Sequence, residues 1–525
     1  MRILINILRE PDDYKIICDG ENTDARVWFS LANRKLNVFL SAKETKPSYI
    51  CLRWNYKFDK PVRVMGDKWE RSYGDMEWHS LNGEIFMPWY FLVSNGNETV
   101  GCGVMVQPNS FISFTCDPSG VTAWFDVRNG GIGVELNGRE LLAGTIVSES
   151  YKGVSEFIAA KEFCKAMSPN PILPKEPVYG SNNWYYAYGE SSYEEIMVDT
   201  DIIVELAGQN ENKPYMVIDD GWSVNRCAGP WIPNEKYGNM KKVADDIKKK
   251  GAKPGIWFRP LCDNVAQELH PEWRLKRGEN GEKFWYLDPS NPEVQDYLKN
   301  IISTIKDWGY ELIKHDFTTY DIFAHFGSSL NGKISPEDGW SFYDKSKTSA
   351  EIVLELYRLI RREAGDLIVI GCNTISHLCA GLVEVYRIGD DTSGKIWSRT
   401  RACGVNALAF RLCQNDSFYK IDADCVGVLE ENIDWKLNRQ WLDLLAKSGS
   451  PLFVSLQPKA LKEEMKSDLI KAFRINSKQT DIAEPLDWIY NNQPHKWLIN
   501  GKETIYDFVM DSYPVLLGTC KQPYI

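Results

Sequence analysis

Two rhythms of apolar and polar residues divide the chain. Up to about residue 175, short runs of Val, Ile and aromatic residues follow one another closely, split by Gly, Asn, Asp and Pro. "ARVWFSLA", "KLNVFLSA", "SYICLRWNY", "GCGVMVQP" and "FISFTCDPSGVTAWFDV" are of this kind, and the "NGG" that comes next is a turn signal. The pattern predicts an N-terminal β-sandwich over 1–175. "AMSPNPILPKEPVYG" closes it, because prolines this dense stop both helix and inner strand.

Beyond Tyr179 the rhythm changes to apolar runs alternating with helix-length segments, which predicts parallel β/α units. In order, the candidate strands end in "VYGSNNWYYAYG", "YMVIDDGW", "KPGIWFRP", "ELIKHDF", "LIVIGCN", "VYRIGDD", "ALAFRLCQND" and "PLFVSLQP". Helix candidates such as "YGNMKKVADDIKKKG", "NPEVQDYLKNIISTIKDWG" and "SAEIVLELYRLIRREAG" each stop at a Gly, as a C-cap would. This strand number predicts a (β/α)8 TIM barrel over 176–460. A doubly wound sheet would carry a glycine-rich first loop. The chain's "GCGVMV" and "GGIGVEL" lie outside the β/α region, so no dinucleotide site is supported. "DLIKAFRI", "KWLING", "ETIYDFVMD" and "YPVLLGTC" then predict a small C-terminal β-sandwich-like domain over 461–525.

Composition narrows the function classes. The 525 residues are 43% hydrophobic and 25% charged, as expected of several packed domains. A net charge of -11 and the lack of a basic cluster argue against a nucleic-acid partner. No apolar run reaches membrane-spanning length. The start, "MRILINILREPDD", has no small-residue cleavage site and acidic residues follow at once. The 13 Cys are scattered without paired CxxC spacing, as buried thiols in a reducing compartment would be. The cytoplasm is therefore the expected location, or the periplasm or exterior if a signal peptide has been removed.

In such a barrel the C-terminal strand ends converge on one mouth. Strand two brings Asp219, Asp220 and Trp222 there; strand three brings Trp257 and Arg259; strand four brings Lys314 and Asp316. Strand six adds Arg387, Asp390 and Asp391, and the seventh candidate Arg411, Asn415 and Asp416. Any one such Asp reads equally as a helix N-cap or turn former, and each Trp as packing. The joint pattern is more telling: Lys314 and Asp316 share a strand face, with His315 turned away. Glycoside hydrolysis needs two carboxyl groups about the anomeric carbon, one ionised and one protonated. Oxygen ligation of Mg²⁺ or Ca²⁺ by Asp219, Asp220, Asp316 and Asp391 competes with it, although Lys314 would repel the ion. Zinc has little support, with six His and none in HExxH. Lys314 as a Schiff-base nucleophile would leave the paired aspartates without a role. Phosphorylated substrates suit a mouth of aspartates poorly.

These motifs, in this order, resemble the retaining α-galactosidases of glycoside hydrolase clan D, and family 36 (melibiase-like) most closely. "MVIDDGW" resembles the family's hydroxyl-binding aspartate pair, "LIKHDF" its K-x-D nucleophile strand and "YRIGDDTSG" its R-x-x-x-D acid/base segment. "QND" before "DADC" resembles the next strand end, and "DKWERSYGDMEW" a segment of the N-terminal β domain. The resemblance implies that Asp316 is the nucleophile and Asp391, four residues after Arg387, the acid/base, with Asp390 one residue too early. It implies that Asp219 and Asp220 take the C4 and C6 hydroxyls, Lys314 the C3 hydroxyl and Arg387 the C2 region. Trp222, Trp257 and Cys372 would shape the pocket wall. The mechanism implied is double displacement without cofactor or metal, on α-galactoside oligosaccharides, with Asp391 expected at a raised pKa. N-acetylgalactosamine or arabinopyranose specificity, and a silent carbohydrate-binding barrel, are the alternatives. Oligomeric state is open.

Overall fold

The computed structural model describes residues 5–58, 61–275, 277, 286–330, 334, 339–478 and 482–508. Residues 13–152 form two antiparallel sheets packed face to face. One orders its strands Asp13–Asp19, Lys46–Asn55, Gly120–Asp126, Phe111–Asp117, Asn82–Pro88. The other runs Arg26–Ala32, Lys35–Ser41, Glu140–Lys152, Glu98–Val104, Tyr90–Ser94, Arg63–Gly66. Alternation explains the pairing: in Lys35–Ser41, Leu36, Val38 and Leu40 are buried and the residues between them are not. "GGIGVEL" is turn and irregular chain rather than strand.

The β pattern expected up to residue 175 breaks at α1, Glu156–Met167. Its apolar residues Phe157, Ala160, Phe163, Cys164 and Met167 recur at helical spacing and are buried, and Ser155 caps its first turn.

The second unit is a curled parallel sheet whose strands we number β1 Tyr179–Asn182, β2 Tyr215–Ile218, β3 Lys253–Phe258, β4 Leu312–His315, β5 Ile368–Gly371, β6 Val385–Arg387, β7 Lys420–Asp422, β8 Cys425–Val428 and β9 Leu452–Leu456. β1 through β7 pair in chain order, β8 pairs with β9, and β9 pairs with β1. β7 and β8 are two halves of one position, broken at Asp424 (φ 73°), so the ring closes around eight positions. Helices α2 Tyr193–Ala207, α3 Met240–Lys250, α4 Pro292–Asp307, α5 Ser349–Ala364 and α6 Trp435–Lys447 cover it. The glycines after α3 and α4 adopt positive φ, Gly251 at 104° and Gly309 at 86°.

"ALAFRLCQND" is not a strand. Ala407–Arg411 is α-helical and Leu412–Gln414 a 3-10 turn, continuing helical turns from Trp397. Each of these residues from Ala407 to Gln414 is buried, so no polar face distinguishes a buried helix from a buried strand. Arg411 accordingly lies away from the mouth, donating to Asp67 at 2.8 Å. Asn415 ties to Gly449 and Ile421, and Asp416 pairs with Lys420.

Helix α7, Glu463–Asn476, packs against α2 and α6. The strands Ala483–Pro485, Lys496–Ile499 and Lys502–Ile505 make a separate antiparallel sheet. The strand expected at "YPVLLGTC" lies outside the described residues. Among the described residues no helix is long and apolar enough to cross a membrane.

Candidate active site

Because all barrel strands are parallel, their last residues meet at one end, where Asn182, Lys314, Arg387, Asp422 and Asp424 line a small, water-sized cavity. Three clusters of side chains surround this end of the barrel.

The first joins β1, β2 and β4. Lys314 Nζ lies 2.7 Å from Asp219 Oδ2, which also accepts from Asn182 Nδ2 at 2.6 Å. Burial pushes the Lys314 ammonium down, but its acidic neighbours, Asp219 first and Asp316 with it, together outweigh burial and hold the amine charged. A charged amine cannot open a Schiff base, so that alternative loses its nucleophile. Asp220 turns its Oδ1 into a buried place with no hydrogen-bond partner. Burial and the neighbouring Asp219 push this carboxyl up to about 7. The turn at Gly221 (φ 111°) admits only glycine, since a Cβ would meet Gly189 O at 2.3 Å.

The second cluster fixes Asp316. Its Oδ1 accepts from Asn373 Nδ2 at 2.5 Å and Phe317 N at 2.7 Å, and its Oδ2 from Trp257 Nε1 at 3.1 Å. Burial alone would raise this carboxyl. Lys314, Arg71 and the side-chain donors win, and it sits below the usual carboxylate range. Trp257 thus belongs to the site through its N–H. Trp222 is fully buried behind it, donating to Trp257 O at 2.8 Å and packing edge-on against Trp308. Cys372 is buried beside Asp316 with burial pushing its thiol well up, which keeps it protonated. His315 faces outward toward Tyr357, buried and with neither ring nitrogen hydrogen-bonded.

The third cluster separates the adjacent aspartates. Asp390 is 1% exposed and turned into the protein, 2.5 Å from Arg399 Nη2 and 3.3 Å from Arg71 Nη1. Asp391 keeps 35% of its side chain open, with Arg387 Nη2 at 3.1 Å and Arg71 Nη1 at 3.5 Å. Asp424 steadies both ends of this loop. Its Oδ2 takes Arg387 Nη2 at 2.7 Å, Thr392 N at 2.6 Å and the Tyr185 hydroxyl.

The raised pKa expected for Asp391 is corrected here. Burial does push it up, but Arg387, Arg71, Lys314 and Arg399 outweigh burial and hold it below its ordinary value. The charges nearest its carboxylate are the two guanidiniums of Arg387 and Arg71. Asn373, Asp424 and Arg71 escaped the sequence reading as site residues. Asn373 closes "LIVIGCN", a strand end already marked, and Asp424 sits in "DADC", just after another. Arg71 lies 320 positions from Asp391, beyond any local spacing rule.

Comparison with known proteins agrees with this architecture. Residues 181–361 match the family model Melibiase. The fold resembles the α-galactosidase from Thermus thermophilus solved with p-nitrophenyl α-D-galactopyranoside, at 16% identity and a TM-score of 0.62, over 94% of this chain and 99% of that one. It also resembles the family 36 α-galactosidase AgaA from Geobacillus stearothermophilus, at 13% identity and a TM-score of 0.60, over 93% and 78%. For the α-galactosidase from Lactobacillus brevis the figures are 12%, 0.59, 92% and 72%. At these identities the likeness is one of fold.

Proposed function

We propose, taking the melibiase domain of the barrel as premise, that this protein is a retaining, exo-acting α-galactosidase of family 36 that releases terminal α-linked galactose from oligosaccharides. The observation that carries the reading is the contrast between two carboxylates at one mouth. Asp316 is fixed by three donors and held ionised, while Asp391 is partly open and reachable by a leaving group.

In this reading Asp316 is the nucleophile. Its Oδ2, with one donor against two on Oδ1, has the freer lone pair and attacks the anomeric carbon. As the C1–O bond breaks, the proton of Asp391 passes to the leaving oxygen. Asp391 then takes a proton from water, whose oxygen attacks C1 and frees Asp316, giving α-galactose. Asp219, Asp220 and Lys314 hold the sugar hydroxyls. Asp220 Oδ1, without a protein partner, is a natural acceptor or donor for one of them. Arg387 and Cys372 border the C2 side, and Trp257 positions Asp316 from the wall. No step draws on a metal or cofactor. The units assigned are the sandwich, 1–175, the catalytic barrel, 176–460, and the C-terminal unit, 461–525. The 12 described cysteines are all unbonded, which supports a cytoplasmic location.

The test is release of nitrophenol from p-nitrophenyl α-D-galactopyranoside with and without EDTA, beside the N-acetyl and arabinopyranoside analogues. Chelator-insensitive turnover of the galactoside is expected, with most activity on raffinose lost in both D316A and D391A. D391A should keep more activity on the nitrophenyl substrate than on raffinose, since a good leaving group needs little acid help. Turnover confined to an analogue would move the specificity; turnover of none of them would sink the reading.

A further inference from the structure

The segment Asp67–Trp78 leaves the sandwich and lies across the loops of the barrel mouth. Trp69 O accepts from Ser376 N at 2.9 Å, beyond β5. Glu70 Oε1 accepts from Gly327 N at 2.6 Å, beyond β4. Ser72 exchanges backbone bonds with the chain after β6, donating to Ile388 O at 2.8 Å and accepting from Asp390 N at 3.1 Å. Met76 O accepts from Asn406 Nδ2 at 2.8 Å. The turn at Gly74 (φ 81°) passes so close to Ala402 that a Cβ would come within 2.5 Å of Ala402 Cβ. This strap is held at both ends and in the middle, so the side chain at its centre is not left to chance.

That side chain is Arg71. Its guanidinium is 4% exposed and sits 3.3 Å from Asp390 and 3.5 Å from Asp391, with Tyr73 OH 3.3 Å from Nη2. A buried guanidinium has a fixed fork of donors, and here one of its nitrogens, Nη1, faces both adjacent carboxylates while Nη2 meets the Tyr73 hydroxyl. Asp390, paired also with Arg399, anchors it; Asp391, open on its other side, receives it. We propose that Arg71 is a positioning residue supplied by the N-terminal sandwich, which with Arg387 from β6 holds the Asp391 carboxyl in its orientation at the mouth. The inference rests on the α-galactosidase reading. It gives the sandwich a part in the reaction, because a barrel without the strap would hold Asp391 from one side only.

The charged and titratable groups about Asp391 are Arg387 from β6, Arg71 from the strap, Lys314 from β4, Arg399 from the helical turn that follows and Tyr185 from the segment after β1, with Asp390 and Asp424 sharing Arg71 and Arg387 with it. Removing one cation among several leaves Asp391 less well held and easier to protonate. The experiment compares wild type, R71K, R71M, D391A and the double variant R71M/D391A in the full chain, on raffinose and on the nitrophenyl galactoside.

In R71M the expected loss of kcat/KM is ~10–100-fold on raffinose and clearly smaller on the nitrophenyl substrate, because the effect passes through the acid. The basic limb of its pH profile moves to higher pH, and R71K, which keeps the charge, returns the limb toward wild type. In the D391A background R71M should add little, the mark of two residues acting through one step. Equal losses on both substrates, an unmoved limb and a full additive cost beside D391A would overturn the proposal, leaving a purely structural strap. If the wild type turns over no galactoside, the function reading fails instead. The titration of Asp391 in ¹³C-carboxyl-labelled protein then decides for Arg71: a midpoint raised in R71M and returned toward wild type in R71K supports its hold on that carboxyl, and an unmoved midpoint in R71M refutes it.

Discussion

Two imidazoles are buried where they cannot hold a proton, and this sets how the fold responds to acid. His377 lies between Trp89, stacked at 5.5 Å, Trp69 at 5.8 Å and Phe111 at 6.4 Å, with neither ring nitrogen hydrogen-bonded. Burial brings it from 6.5 down to about 3, and His315 down to about 4. A depressed folded value means that the unfolded chain binds the extra proton. The stabilising contribution of each neutral imidazole is thus complete above the unfolded value and is lost as pH falls from there toward the folded value. At pH 5 the loss is about 2 kcal/mol for each, since both folded values lie below 5 and the unfolded value alone sets the figure. A domain's whole stability is on the order of 5–15 kcal/mol, so the effect is measurable. The substitution is His377→Leu, which fills a similar volume without titrating. Urea unfolding at pH 7.5 and pH 5, followed by tryptophan fluorescence, gives the stability difference between the two conditions. That difference should shrink by about 2 kcal/mol in the variant. Any packing cost of Leu is independent of pH and cancels. An unchanged difference would show that His377 takes its proton in the folded state, and the burial argument would be wrong.

Two further outcomes follow from the third cluster. Asp424→Asn removes the buried carboxylate that Arg387, Thr392 and Tyr185 share, so kcat/KM on raffinose should fall ~10-fold or more, and denaturant unfolding should register a loss of about 3 kcal/mol; wild-type behaviour in both would refute the clamp. In wild type, kcat/KM falls as pH rises through the Asp391 value of the free protein, which the surrounding cations depress, whereas kcat reports the complex, where a neutral sugar covers the open third of the side chain and raises that value. The basic limb of kcat should therefore stand at higher pH than that of kcat/KM, and coincident or reversed limbs would contradict the assignment.

What could be read from the sequence was whatever a strand end writes locally. β2, β4 and β6 each close an apolar run with a carboxylate, and Lys314 and Asp316 share a face through simple alternation. The spacing of Arg387 and Asp391 put both on one side of a short turn, and the structure separates Asp391 from Asp390 in that way. "ALAFRLCQND" failed because a helix buried all round has no period to betray it, and the true strand is broken at Asp424 into pieces of three and four residues. α1 was missed although its spacing is helical, because the strong β signals before it carried the reading through to the proline-rich segment. Trp222 looked like a wall residue by its place after Asp220, but Gly221 swings the chain and sends the indole behind Trp257. The Asp391 shift was legible only in part: Arg387 stands four residues away in sequence, whereas Arg71 approaches from another domain.

The same clusters bear on what the mouth can bind. Each cation described there already has a protein carboxylate: Lys314 has Asp219, Arg387 has Asp424 and Asp391, Arg71 has Asp390 and Asp391, and Arg399 has Asp390. An anionic substrate would have to strip a buried cation from its partner, leaving that carboxylate uncompensated at a cost of several kcal/mol. A neutral polyol asks for nothing of the kind. Its hydroxyls can donate to carboxylate lone pairs and accept from N–H groups that remain within existing pairs, so the charge pattern stays intact when it enters. A preference for an uncharged sugar over a phosphorylated one is therefore what the pairing of the site predicts, and within that pairing Asp391 stays the carboxylate most open to a leaving group.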